Sequence, residues 1–182
     1  MSVTLAPILE TDRLILRPPT AEDFEPWARF AADEVTMRHL GGVQARSVAW
    51  RGICTVAGAW TIRGFSMFSV IEKATGRWIG RLGPWQPEDW PGREVGWGLA
   101  RECWGKGYAT EGAAACMDYV FDELGWSEAV HTIEPDNLAS QAVARRLGST
   151  LWGPANMPPP YEDTVVETWG QTREQWRARR GR

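Results

Sequence analysis

The sequence predicts a mixed α/β fold in a single domain, residues 1–182. Three observations carry this. The chain has 182 residues, 43% hydrophobic and 24% charged, which suits one globular core and excludes a rod or a disordered chain. Apolar residues recur at helical spacing near residue 24 and again from residue 113. Between them lie short apolar runs punctuated by glycine and proline, the pattern of strands.

Leu14-Ile15-Leu16, flanked by Arg13 and Arg17, reads as a first strand that Pro18-Pro19 ends. Thr20-Ala-Glu-Asp23 is a helix start with Thr20 as N-cap, and Phe24, Trp27, Ala28 and Ala31 form the stripe that follows. A glycine-bearing loop, Met37 to Gln44, leads to a second helix from Ser47 to about Thr61, with Trp50, Ile53, Cys54, Ala57 and Trp60 as its apolar face. Phe65 to Ile71 and Trp78 to Trp85 make a hairpin around Lys73 to Gly76, and the loop 84–91 carries Trp85 and Trp90. In the strand Glu94 to Leu99, Val95, Trp97 and Leu99 share one face, while Gly96 and Gly98 on the other suggest a bulge or a close backbone approach.

The clearest helix runs from Thr110 to Leu124, with Ala113, Cys116, Met117, Val120, Phe121 and Leu124 in one stripe and Gly125 as its stop. A strand, Ala129 to Ile133, is followed by a helix opened by Asn137 and closed by Gly148. Two late strands, at Leu151-Trp152 and Thr164 to Trp169, flank a proline-rich loop, and a last helix starts at Thr172.

Composition narrows the function. Net charge is −3 and the pI about 5.5, which argues against a nucleic-acid partner. The arginine-rich end, Arg173 to Arg182, reads as a solvated helical turn, since no aromatic or glycine residues interleave it in the manner of an RNA-binding arm. The longest charge-free stretch, Leu147 to Tyr161, holds four prolines and is too short to span a membrane. The start shows no basic segment followed by an apolar run, so no signal peptide is expected. Cys54, Cys103 and Cys116 are odd in number and lack metal-ligand spacing. They read as free thiols of a cytoplasmic protein.

Trp104-Gly-Lys-Gly-Tyr-Ala-Thr110 carries the chemistry. A glycine-rich turn from strand to helix presents free backbone N–H groups at the positive end of the helix, an arrangement suited to a pyrophosphate. It is neither GxxxxGK[ST] nor GxGxxG, so the P-loop and dinucleotide readings drop.

Glu94-Val-Gly-Trp-Gly-Leu99, then Glu102-Cys-Trp-Gly-Lys-Gly-Tyr-Ala-Thr-Glu111, then Asn137-Leu-Ala-Ser140 and Arg146-Leu-Gly148, in this order and spacing, resemble the GNAT superfamily of acyl-CoA-dependent N-acetyltransferases. The branch most similar includes the ribosomal-protein N-terminal acetyltransferases. Leu9-Glu-Thr-Asp-Arg-Leu-Ile-Leu-Arg17 and Trp176 fit that branch, and the likeness runs from about Leu9 to Trp176.

The resemblance implies a six- to seven-stranded, mostly antiparallel sheet with helices on both faces, whose central fourth and fifth strands splay apart. It implies acetyl-CoA as co-substrate, no metal, and direct attack by a primary amine in a ternary complex. That amine would belong to a peptide N-terminus or a small molecule; no membrane partner is expected, and a homodimer is compatible. The pyrophosphate loop maps onto Trp104, Gly105, Lys106, Gly107, Tyr108, Ala109 and Thr110. The pantetheine-binding main chain maps onto Trp97 to Leu99, and Asn137 matches a side chain that contacts the CoA arm, though it serves equally as an N-cap.

Two positions depart from the wider superfamily. Glu102 stands where Gln or Arg is common, and Ala144 where a tyrosine general acid is common. In the similar branch a serine at the Ser140 position is the proposed acid; hydrogen bonding within the first helical turn is the competing reading. Glu94 matches a glutamate that acts as base, directly or through water; a surface carboxylate paired with an arginine is the competing reading. His39 lies in a loop that contacts acceptors in the family, and His131 reads as packed in its strand. Trp85, Trp90 and Tyr161 lie on loops, where tryptophan commonly serves as a packing anchor; three aromatics around one mouth would favour a flat or apolar acceptor. Because Ala144 lacks the tyrosine hydroxyl, a non-catalytic module that binds or senses acyl-CoA is the alternative.

Overall fold

The computed structural model of the protein describes residues 7–181; the first six residues, which belong to the segment read above for a leader, and Arg182 lie outside them. Strand β1 (Leu9–Glu10) precedes β2 (Leu14–Arg17), then a 3-10 turn (Ala21–Asp23), α1 (Phe24–Ala32), α2 (Glu34–Met37) and α3 (Arg46–Arg63). Strands β3 (Phe68–Glu72), β4 (Trp78–Trp85) and β5 (Glu94–Leu99) follow, then α4 (Tyr108–Asp122), β6 (Glu128–Ile133), α5 (Leu138–Leu147), β7 (Thr150–Ala155), β8 (Val166–Thr172) and α6 (Arg173–Arg180).

The strands form one open sheet in the order β1-β2-β3-β4-β5-β6-β8-β7. Eight strands are described where six or seven were expected. The addition is β1, whose two residues pair with Leu16 and Ile15 but are too few to show an alternating pattern in sequence. The sheet is mostly antiparallel, and β5 and β6 pair in parallel. That parallel pair holds a single matched position, Glu94 opposite Val130, in keeping with the expected splay.

The chain divides into two compact units. One runs to Leu82 and takes in Trp97–Tyr108; the other comprises Gly83–Gly96 and the chain from Ala109. In the first unit, Leu14, Leu16, Phe68, Val70, Ile79 and Leu82 of the strands are buried, as are Trp27, Phe30 and Ala31 of α1. The Trp78 ring meets Phe30 edge-on at 5.6 Å. Helix α3 differs from the expected face. It buries Ala49, Ile53 and Val56, whereas Trp50 and Cys54 are exposed. Trp50 instead packs edge-on against Phe24, and Trp60 donates its indole N–H to the Met67 carbonyl at 3.1 Å.

The helix start at Thr20 conceals a buried carboxylate. Asp23 accepts from Arg17 at 2.7 and 2.8 Å, from the Thr20 amide at 2.9 Å and from the Ser69 hydroxyl at 2.7 Å. Burial pushes the Asp23 carboxyl toward its neutral form, but these donors outweigh it and hold the pKa below the ordinary value.

In the second unit, α4 buries Ala113, Cys116, Met117, Val120 and Phe121, the predicted stripe apart from Leu124. Helix α6 is capped by Thr172 and buries Trp176, whose indole N–H donates to Asp118 at 2.9 Å. Its arginines are more engaged than a solvated turn would be. Arg177 reaches Asp122 at 3.0 Å, Arg180 reaches Asp118 at 2.9 Å, and Arg179 donates to the Arg146 carbonyl near the end of α5. Cations at that carbonyl end complement the helix dipole.

Candidate functional site

In the first unit, the glycine loop after β5 has the conformation its sequence implies. Gly105 and Gly107 take left-handed φ angles of 73° and 82°, which glycine adopts at little cost. Helix α4 begins at Tyr108, two residues before the predicted start, so Tyr108, Ala109 and Thr110 form its first turn instead of the loop. Their N–H groups belong to the first turn, which lacks intrahelical acceptors. The Trp104 indole donates to the Leu99 carbonyl at 2.8 Å, tying the loop to the end of the strand.

Two residues distant in sequence, one just before β2 and one at the end of β3, brace this loop. Arg13 donates to the Lys106 carbonyl at 2.9 Å, and its guanidinium lies 4.5 Å over the Tyr108 ring. The Tyr108 hydroxyl donates to Glu72 at 2.6 Å. The Thr75 and Tyr108 hydroxyls hold the Glu72 carboxyl below its ordinary pKa, and the same Glu72 contact raises that of Tyr108. Arg13 is therefore a cation beside the loop that the site reading missed. It stands within the Leu9–Arg17 motif but 93 residues from its contact, so no local pattern announces it.

The strand carrying Trp97 and Leu99 buries Leu99 and leaves Trp97 half-buried. At Gly98 a Cβ would meet Leu40 at 3.0 Å and Phe30 at 3.2 Å, and a Cβ on Gly80 would collide with the Gly98 carbonyl, so the close backbone approach expected there is present beside side-chain crowding. A cleft of about 550 Å³ opens on the same unit between Arg29, Phe30, Asp33, Arg77, Trp78 and Arg101; none of the predicted site residues lines it. His39 is half-buried in the loop after α2.

In the second unit, Glu94 is not a surface carboxylate, being 7% exposed. Its Oε2 accepts from the Trp90 indole N–H and from the Thr132 hydroxyl, each at 2.5 Å. The Trp90 ring meets Tyr161 edge-on with centroids 6.5 Å apart. Three predicted residues, Glu94, Trp90 and Tyr161, thus come together, joined by Thr132, which the sequence reading did not single out. Trp85 ends β4 and is half-buried, so it belongs to a strand and not to the loop.

Behind Glu94 lies a buried polar chain. His131, 1% exposed, has Nδ1 2.7 Å from the Val95 carbonyl and Nε2 2.9 Å from the Ser149 hydroxyl oxygen. Gln171 donates to that oxygen at 2.9 Å and to the Leu147 carbonyl at 3.1 Å. Burial lowers the His131 pKa to about 4, the Val95 bond opposing only in part, so the ring is neutral at physiological pH. Asn137 caps α5, its Oδ1 accepting from the Ser140 amide at 3.1 Å. Ser140 sits in the first turn of α5, half-buried. Ala144, at the alternative acid position, is fully buried.

The family model for the Acetyltransferase (GNAT) domain matches residues 13–150. The chain is 40% identical over 87 residues to the uncharacterized protein YkkB of Bacillus subtilis, across 47% of this chain and 51% of that protein, so the match spans about half of YkkB. It is 32% identical over 145 residues to the uncharacterized N-acetyltransferase YoaA of Bacillus subtilis, covering 78% of this chain and 82% of YoaA. An acetyltransferase structure from Agrobacterium tumefaciens matches with a TM-score of 0.79 at 30% identity, over 91% of this chain and 94% of the other. RimL, a ribosomal L7/L12 alpha-N-protein acetyltransferase in complex with coenzyme A, shares the fold at 18% identity and a TM-score of 0.73, over 91% of this chain and 98% of its own. Among the described residues no helix is long and apolar enough to cross a membrane.

Proposed function

The chain belongs to the GNAT acetyltransferase family, and on that premise we propose that it transfers the acetyl group of acetyl-CoA to a primary amine, the whole chain acting as one acyltransferase domain. The observation that carries this reading is the left-handed glycine pair, Gly105 and Gly107, opening α4. Backbone N–H groups from Gly105 to Thr110 would hold the diphosphate of CoA, with Trp104 and Lys106 in the same loop. Arg13 adds a permanent positive charge at its edge. The main chain of Trp97 to Leu99 would carry the pantetheine arm, and Asn137 its side-chain contact. Bound acetyl-CoA supplies a thioester carbonyl open to attack.

Glu94 is the proposed base. An acceptor amine arrives protonated, and for a lysine-like amine reaching the neutral form at pH 7 costs roughly 4 kcal/mol. A buried carboxylate held by Trp90 and Thr132 is preorganised to take that proton. Ser140 is the proposed donor to the departing thiolate. A thiol with a pKa near ~8.5 leaves with little help, so the absence of a tyrosine at Ala144 is tolerable. Trp85, Trp90, Tyr161 and His39 are proposed to receive an acceptor with an apolar or flat body beside its amine.

The test is thiol release from acetyl-CoA with a panel of peptide N-termini, polyamines and small amines. Amine-dependent release supports the enzyme. Tight CoA binding without release under any amine would favour the non-catalytic module instead.

A further inference from the structure

Between β5 and β6 the parallel ladder has a single matched position. Val130 donates its N–H to the Arg93 carbonyl at 2.9 Å, as a parallel ladder requires. One step further, such a ladder would bring the Thr132 N–H to the carbonyl of Val95. The His131 ring already occupies that carbonyl, with Nδ1 2.7 Å from its oxygen, so a ladder N–H would have to share it. A carbonyl only accepts, so the imidazole proton is on Nδ1 and Nε2 is the acceptor. Both Gln171 N–H donors are spent on Ser149 and Leu147, which leaves the Ser149 hydroxyl to donate to Nε2. Every member of this chain is satisfied and buried, so the arrangement is stiff.

Neighbouring residues of the same two strands hold the carboxylate. Glu94 precedes Val95, and Thr132 follows His131, with the Thr132 hydroxyl on Glu94. Drawing the Thr132 backbone onto Val95 would displace that hydroxyl. We propose that His131 is a positioning residue: it stops the β5–β6 ladder after one rung and thereby keeps Thr132 and Glu94 in register. Its consequence for catalysis rests on the acetyltransferase reading above; its consequence for the ladder does not.

The experiment uses NMR on the full chain without ligand, together with acetyl-transfer rates. His131→Leu should slow exchange of the Thr132 amide about tenfold as a new ladder bond forms, and lower the transfer rate by about the same factor, the worth of one buried hydrogen bond. His131→Asn should restore both, because the Asn Nδ2 is bonded to Cγ as Nδ1 is and reaches the same carbonyl. Wild-type exchange at Thr132 in the Leu variant, or an Asn variant as impaired as Leu, overturns the proposal. Should the Leu variant not fold, the wild-type ring nitrogens decide: a neutral ring with its proton on Nδ1 at neutral pH supports it, and an Nε2–H or charged ring overturns it. Wild-type protein that releases no thiol with any amine refutes the acetyltransferase reading, while the exchange and ring arms are read independently.

Discussion

The indole nitrogen of Trp90 stands 2.5 Å from Oε2 of Glu94, and Thr132 donates to the same oxygen from the neighbouring strand. A carboxylate gripped at one oxygen by two donors has its direction set by both. Trp90→Phe and Thr132→Val should each destabilise the fold by about 1.5–3 kcal/mol, the range for hydrogen bonds to a charged group. In a double-mutant cycle by urea denaturation the two effects should couple by at least about 0.5 kcal/mol. Strict additivity would mean that the donors act independently.

Glu94→Gln should lose most activity at low pH and approach wild type near the acceptor's own pKa, because a base contributes only while there is a proton to remove. Parallel pH–rate profiles and melting curves check this. A rate ratio constant across pH, with lowered thermal stability, would make Glu94 a strand anchor.

At Gly107 any side chain is forced into a left-handed backbone, and an added Cβ would also lie 3.4 Å from Arg13. Gly107→Val should therefore weaken CoA binding in calorimetry. Arg13→Gln should weaken it less, and more visibly at low salt, since its contribution is a charge near the protein surface. A folded Gly107→Val protein with unchanged affinity would refute placement of the diphosphate on this loop.

Acid should destabilise the protein through His131. Its pKa falls from 6.5 unfolded to about 4 folded. The unfolded chain thus binds the proton first, and the stability present above pH 6.5 is lost as pH falls toward 4. The full shift corresponds to roughly 3 kcal/mol at most. Urea titrations across that window should show a steeper loss in wild type than in His131→Asn. Asp23 enters lower, its depressed pKa costing stability as pH falls below the ordinary 3.8.

Much of this was legible in sequence where one local rule sufficed. The strand Glu94–Leu99 appears with its predicted bounds, and the caps Asn137, Gly148 and Thr172 are where turn chemistry puts them. The α3 face is not legible in sequence because apolar residues lie on several sides of that helix, and only the partners Phe24 and Met67 decide which tryptophan stays partly outside. The glycines around Tyr108 mask the helix start in the sequence. Thr132, Arg13, Ser149 and Gln171 left no signal, since each acts on a residue at least 18 positions away. Periodicity reports which way a side chain faces, and pairing across strands lies beyond it.

The position of β8 bears on how the protein is made. It lies between β6 and β7, although the chain produces β7 first. During synthesis the N-terminal strands can pair with their predecessors as they emerge, β2 with β1 and then β3 with β2. By contrast β6 and β7 leave the ribosome as neighbours in time that never pair with each other, both waiting for Val166–Thr172 to slot between them. Until residue 172 is free, β6 and β7 each present an unpaired hydrogen-bonding edge, the one on β7 carrying Leu151 and Trp152, and chains stalled before that point expose both edges to aggregation.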